Sequence, residues 1–380
     1  MIINRKIKDE IKKRLFERED KKPAIVIYGP RQSGKTTLAR EIFKEYPDGS
    51  VFYDCDLLET RELFSYERSN NLKSLLQGVR LVILDEAQKI KDIGVVLKII
   101  VDTIPGTQII ATGSSSFDLS NSINEPLTGR KYEFHLMPLS FEEIAQGENN
   151  IVEKKAFMNR MLRFGGYPAI VLSGESEAQQ KLKELTGSYL FKDIFMFQEL
   201  RKPEILTQLL RLLAHQIGNE VSFQELAKAL SVDQTIIQKY LFLLEVSFIV
   251  FRLGAFRRNL RSEVVKTRKV YFWDLGIRNS LVSNFRPPEG RDDLGFLWEN
   301  FCISERMKIA GYKNNLSNKY FWRTYDQKEI DYIEEKDGKL FAYEFKWGND
   351  KAKEPRLFRD TYPNSEYLLI NRDNYLDFLK

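Results

Sequence analysis

A mixed α/β chain with more than one domain follows from three features of this sequence. Residues 24–28 and 81–84 are short, wholly apolar runs, as in parallel strands covered on both faces, and each runs directly into polar residues of a special kind. Beyond about residue 139 that pattern gives way to helical leucine spacing. The last hundred residues then pair a long amphipathic helix with two alternating strands around Asp337-Gly338. At 380 residues and 43% apolar content the chain is too long for one simple core and calls for two or three. The expected divisions are 1–200 for a parallel α/β sheet with a helical lid, 201–285 for a helix-rich unit ending in a hairpin, and 286–380 for a second α/β unit.

The first strand ends where the sequence reads GPRQSGKT, residues 29–36. Successive backbone N–H groups of such a loop point inward as an anion nest, and the helix that opens at about Lys35 adds its positive dipole end. Gly29, Pro30, Arg31, Gln32, Ser33, Gly34, Lys35, Thr36 and Thr37 are therefore candidates to hold a triphosphate. Lys35 would reach the β- and γ-phosphates and Thr36 would ligate the Mg²⁺ that travels with ATP. The strand at 81–84 ends in Asp85 and Glu86. Ligands of open α/β sheets bind at this carboxyl edge, so Asp85 can meet the metal ion while Glu86 polarises an attacking water. A strand at 108–112 ends at Gly113 and Ser114, where a polar side chain could touch the γ-phosphate, although Ser114, Ser115 and Ser116 also suit a cap or turn.

These residues resemble the P-loop ATPases of the AAA type, in the branch where an extra strand separates the phosphate loop from the Asp-Glu strand. Residues 50–55 are read as that intervening strand. The resemblance implies a P-loop NTPase sheet, Glu86 as the catalytic glutamate, and Thr112 or Ser114 as the first sensor. It makes Arg130 the candidate arginine finger or sensor, supplied in cis or by a neighbouring subunit, so a homo-oligomer is possible. A second-sensor arginine is not obvious; Arg163, ahead of the turn at 164–168, is the nearest candidate.

Ile7, Ile11 and Leu15 share one helical face in a highly charged N-terminal segment, which reads as a helix packed on the ATPase rather than a targeting signal. Two cysteines, Cys55 and Cys302, far apart, fit neither a disulfide framework nor a zinc site, and a cytoplasmic, reducing setting is expected. No apolar run is long enough to span a membrane. The net charge of +5 is a mild excess whose placement matters more than its size.

Residues 139–197 read as the helical lid. Helices are then expected at 204–216, after Ser222, and from Asp233 to Glu245, followed by a hairpin within 248–273; helix, short helix, turn and longer helix is a winged-helix signature with 233–245 as recognition helix. Arg252, Arg257, Arg258, Arg261, Lys266, Arg268 and Lys269 cluster around the hairpin with Glu263 the lone acid, a distribution suited to DNA phosphates. Lys239 is the clearest cation of the recognition helix, so mainly backbone contact is expected.

In the last unit, Glu299 lies near the start of a helix at 295–310, Asp331 on a strand at 329–333, and Glu344 and Lys346 on a strand at 340–347. Alternation puts Glu344 and Lys346 on one face, and Asp331 can join them across the hairpin. Hard oxygen ligands converging there suit Mg²⁺ or Mn²⁺, with Lys346 stabilising developing negative charge. This resembles the PD-(D/E)XK nucleases of the restriction-endonuclease fold. The chain from residue 203 onward also resembles the uncharacterised C-terminal region found behind many prokaryotic ATPases of this branch. The implied function is an ATP-hydrolysing protein acting on DNA, either as a Mg-requiring nuclease or as a nucleotide-controlled switch that binds DNA or a protein partner without cutting.

Overall fold

The computed structural model describes residues 3–17, 22–66, 71–114, 127–189, 202–256, 268–313, 317–324, 328–348 and 353–380. Contacts divide the chain into two compact units: the first holds the residues up to Leu139 together with Val246–Phe248, and the second holds most of the chain from Ser140 onward.

The first unit opens with α1 (Ile7–Arg14), whose Ile7 and Ile11 are fully buried as their spacing requires. Lys8 pairs with Glu41 and Glu45, and Lys12 with Glu45, fastening α1 to α2 (Lys35–Glu45). Five parallel strands follow the order β2 (Ser50–Asp54), β3 (Leu81–Asp85), β4 (Gln108–Ser114), β1 (Ala24–Gly29), β5 (Lys131–His135). Residues of β1, β3 and β4 are buried throughout, which is why these strands read as unbroken apolar runs. α3 (Leu58–Leu63), α4 (Leu72–Leu75) and α5 (Ile93–Thr103) complete the unit. One expectation is corrected here. Residues 50–54 follow the phosphate loop in sequence but lie at the sheet edge, and the strand that separates β1 from β3 is β4. Chain order and sheet order differ because each helical crossover can step over a neighbouring strand.

The second unit begins with α6 (Phe141–Ile144), opened by a capping box in which Ser140 and Glu143 satisfy each other's backbone N–H groups. α7 (Ile151–Phe164), α8 (Pro168–Val171) and α9 (Glu175–Glu184) follow. These helices, expected as a lid on the first domain, belong to the second compact unit. Next come α10 (Pro203–His215), α11 (Phe223–Ala229, capped by Ser222) and α12 (Gln234–Val246), close to the expected helices. The hairpin of β6 (Val250–Ala255) and β7 (Arg268–Phe272) does not stand apart as a wing. It leads through α13 (Leu275–Leu281) and α14 (Leu294–Tyr312) to β8 (Asn318–Arg323), β9 (Glu329–Lys336), β10 (Lys339–Phe345), α15 (Arg356–Thr361), β11 (Ser365–Ile370) and α16 (Tyr375–Phe378). A single six-stranded sheet runs β11, β10, β9, β8, β6, β7.

The division expected at 285/286 is therefore crossed by a continuous sheet. The cause is a short parallel pairing, Gly254 with Tyr320 and Ala255 with Phe321, extended by Phe256 N–H donating to Phe321. Local alternation announces each strand but not which distant strand it joins. Asp337 and Gly338 turn β9 into β10 with φ of 51° and 77°, the left-handed pair that a tight hairpin requires.

Candidate functional site

The carboxyl ends of β1, β3 and β4 bring the expected residues of the first unit to one edge. Gly29 is in register with Ser114, and Leu84 with Ala111. The loop leaving Gly29 needs glycine twice. A Cβ on Gly29 would lie 2.2 Å from the Leu136 carbonyl oxygen, and Gly34, at φ 99°, occupies backbone space that side chains avoid. Helix α2 starts immediately after, directing its first N–H groups at the loop.

Asp85 is nearly fully buried and bonded on both oxygens: Thr36 Oγ1 donates to Oδ2 at 2.8 Å, and Thr112 Oγ1 to Oδ1 at 2.5 Å. Thr36 and Asp85 thus offer adjacent hard oxygens suited to Mg²⁺. Lys35 Nζ donates to the carbonyls of Gly29 (2.9 Å) and Pro30 (3.0 Å), within the loop. Ser33 Oγ, within the loop, is buried and without a hydrogen-bond partner among the described residues. Arg31 is partly buried, while Gln32 and Thr37 are exposed. The cradle, the ammonium and the oxygen pair together fit a metal-escorted polyphosphate.

Glu86 sits at φ 55°, an uncommon conformation for a side-chain-bearing residue, held by its N–H donating to Thr112 Oγ1 at 3.1 Å. Gln88 Nε2 bridges Glu86 Oε2 (2.5 Å) and Ser114 Oγ (3.1 Å). Sequence reasoning missed Gln88. Its position two residues past the glutamate, within DEAQ, was the available signal. Thr112 steadies Asp85 and Glu86, whereas Ser114 connects to the glutamate only through Gln88.

Arg130 lies elsewhere. It immediately precedes β5, and its carbonyl accepts from Ala24 N–H at the start of β1, the edge of the sheet opposite the phosphate loop. Six residues of strand, about 20 Å at the usual rise, separate it from that loop, and its guanidinium pairs with Asp102 at 2.9 Å. This position sets Arg130 apart from its own chain's phosphate loop. Arg163 is likewise engaged, chelating Glu175 and donating to the Phe285 carbonyl.

In the second unit the chain brings together the residues expected there, but not as a metal site. Glu299 and Asp331 are buried. Burial, then Glu299 and Glu344, push the Asp331 carboxyl well above its usual range, and Glu344 is raised by burial against the relief of Lys346 at 2.8 Å. One Asp331 oxygen is taken by Phe345 N–H at 2.8 Å. Lys269, from β7, enters the cluster: its Nζ lies 3.0 Å from Glu299 and also pairs with Glu329, while Tyr271 hydroxyl donates to Glu299 at 2.5 Å. Burial alone would lower the Lys269 pKa, but Glu299, Asp331 and Glu329 hold it above its ordinary value. Among the described residues no group of three or more His, Cys, Asp or Glu is arranged to hold a metal ion. Ammonium groups stand beside two of these acids, Lys269 beside Glu299 and Lys346 beside Glu344, and the Mg²⁺ or Mn²⁺ site expected at Glu299, Asp331 and Glu344 finds no support among the described residues. Lys269→Met should destabilise the second unit by about 3 kcal/mol, since it strands two carboxylates beside a buried apolar group; urea unfolding followed by tryptophan fluorescence measures it.

The basic cluster also changes character. Arg257, Arg258, Arg261 and Lys266 lie outside the described residues. Of the other three, Lys269 is internal, Arg252 is chelated by Glu245, and Arg268 is partly buried at the start of β7. Lys269 and Arg252 are thus engaged within the protein. Among the described residues no helix is long and apolar enough to cross a membrane.

Residues 21–145 match the family described as "AAA domain". Residues 155–288 and 294–378 match two domains of unknown function, DUF8612 and DUF4143. An uncharacterized protein of Mycobacterium tuberculosis is 26% identical over 328 residues, 85% of this chain and 70% of that protein. An uncharacterized protein of Methanocaldococcus jannaschii is 25% identical over 327 residues, 81% of this chain and 71% of that one. Among solved structures, a Walker-type ATPase of Pyrococcus abyssi shares the fold, with a TM-score of 0.50 at 18% identity over 74% of this chain and 96% of that one. The first unit thus matches an AAA domain over residues 21–145 and shares the fold of a Walker-type ATPase.

Proposed function

We propose that this chain is a Mg-dependent ATPase whose first unit binds and hydrolyses ATP and whose second unit acts on DNA. The observation that carries the ATPase reading is the placement of Asp85 between Thr36 and Thr112 at the mouth of the loop that begins at Gly29. In this reading the loop amides and Lys35 bind the phosphates, Thr36 and Asp85 hold the metal ion, and Glu86, oriented by Gln88, takes the proton of the attacking water. Bound Mg²⁺ supplies charge neutralisation on the phosphate oxygens. Asp85→Asn tests the assignment: turnover should fall at least about a hundredfold and need far more Mg²⁺, and unchanged Mg²⁺ dependence would remove the role. If Arg130 serves as a finger, it does so on a neighbouring subunit.

The DNA reading draws on the helix, short helix, turn and helix of α10 to α12 followed by a hairpin, and on the order α14, β8, β9, β10, α15, β11, with acids at Glu299, Asp331 and Glu344. A specific observation favours a second reading, in which the nucleotide switches a non-cleaving effector: Lys269 pairs with Glu299 and Glu329, so an ammonium already balances part of the acidic cluster. Incubating wild type and Glu344→Ala with linear and branched DNA and Mg²⁺ or Mn²⁺ separates the two. Cleavage by wild type alone supports the nuclease; cleavage by neither, with retained gel-shift binding, supports the switch; neither cleavage nor binding sinks the DNA assignment.

A further inference from the structure

We infer that Arg5, in the segment ahead of α1, is a positioning residue that braces the phosphate loop from behind. The inference rests on the ATP-binding reading of that loop. Arg5 is 6% exposed, unusual for arginine, and its guanidinium spans two backbone carbonyls: Nη1 donates to Ser33 O at 2.8 Å and Nη2 to Met137 O at 2.6 Å.

The chemistry lies in the peptide that joins Ser33 to Gly34. In a trans peptide the C=O and the following N–H point in opposite directions, and the chain contains no cis peptide bond among the described residues. Fixing the Ser33 carbonyl toward Arg5 therefore aims the Gly34 N–H away from Arg5, into the concave side of the loop. Gly34 itself, at φ 99°, offers no steric barrier against the peptide rotating, so the orientation must be enforced from outside. A positive charge on the carbonyl oxygen also polarises that peptide and strengthens its N–H as a donor to an anion.

The second arm of the guanidinium connects the loop to the sheet. Leu136 N–H donates to the Tyr28 carbonyl at 2.7 Å, and the Leu136 oxygen lies against Gly29 so closely that no Cβ fits. Residues 136–137 thus line the beginning of the loop, and Arg5 joins them to its end. Lysine cannot reproduce this, since one ammonium lacks the planar fork that reaches two carbonyls at once. Ion pairs of Lys8 with Glu41 and Glu45 of α2 hold the helix that follows in place, so the brace is anchored at both ends.

The test compares wild type, Arg5→Met, Arg5→Lys and Lys12→Ala as full chains, titrated with Mg-ATP and with base-free Mg-tripolyphosphate by calorimetry, beside thermal unfolding of each. Arg5→Met should weaken both ligands by about tenfold, the worth of one charge-assisted hydrogen bond to the loop, and Arg5→Lys by a smaller factor. Lys12→Ala, which loosens the same helix without touching the loop, should lower the melting temperature slightly and leave both affinities unchanged. Equal affinity of wild type and the Arg5 variants overturns the brace, as does an ATP loss without a matching tripolyphosphate loss. Should Arg5→Met fail to fold, Arg5→Lys decides, and wild-type affinity there overturns the proposal. A wild type that binds neither ligand defeats the ATP-binding reading itself.

Discussion

Glu86→Gln is expected to abolish ATP turnover while leaving Mg-ATP binding intact. Glutamine keeps the size, the left-handed backbone at φ 55° and the contact with Gln88, but it cannot take a proton. A positioned general base contributes about a hundredfold to ten-thousandfold, so hydrolysis should drop into the background of a sensitive phosphate-release assay. ATP would accumulate unhydrolysed on the protein. Lys35→Ala should behave differently: the ammonium now shared by the Gly29 and Pro30 carbonyls is the loop's own cation, and its loss should weaken ATP binding as well as turnover. Filter binding with radiolabelled ATP distinguishes the two variants. Turnover by Glu86→Gln within a few-fold of wild type would transfer the base role elsewhere.

What the sequence disclosed follows the range of the forces involved. The loop at 29–36, Asp85, Glu86 and the apolar strands β1 and β4 depend on local backbone chemistry and on burial, and both leave marks in short stretches of residues. Thr112 and Ser114 were legible for the same reason, at the end of an apolar strand. Gln88 and Arg5 were not, because a single polar residue beyond a strand or ahead of a helix has no pattern of its own; its meaning comes from carbonyls and carboxylates brought close by folding. Arg130 shows the converse. Its segment is recognisable, yet which edge of the sheet it occupies is decided by the direction of β5, parallel to β1. Lys269 looked like one of seven cations on a wing, and only the pairing of β7 into the six-stranded sheet turns it inward onto Glu299 and Glu329.

Asp274→Ala should cost the second unit about 3 to 5 kcal/mol, the largest stability effect expected of a single side chain outside the core. Asp274 is 4% exposed and joins two distant segments. Its Oδ2 accepts from Gly166 N–H at 2.7 Å, just past the end of α7, while Oδ1 accepts from Ile277 N–H at 3.1 Å as the cap of α13. Truncation orphans buried N–H groups at both places, at about 1 to 3 kcal/mol each. The packing tolerates no added bulk either. A Cβ on Gly276 would lie 2.1 Å from the Phe164 oxygen, and one on Gly165 2.0 Å from the Asp274 carboxylate, at φ 72°. Gly276→Ala should therefore destabilise comparably without removing any hydrogen-bonding group. The pH dependence supplies an independent check. Burial raises the Asp274 pKa against the opposing pull of Lys308 and the Gly166 and Ile277 amides, so the folded state holds its proton more tightly than the unfolded chain does. Its contribution is then complete below the unfolded value and declines as pH rises through the folded one. Against the non-titrating Asp274→Asn, wild type should hold its greatest advantage in acid and a smaller one at neutral pH, read from urea midpoints across that range. An advantage that grows with pH would mean that the carboxylate, not the acid, is the form the fold prefers.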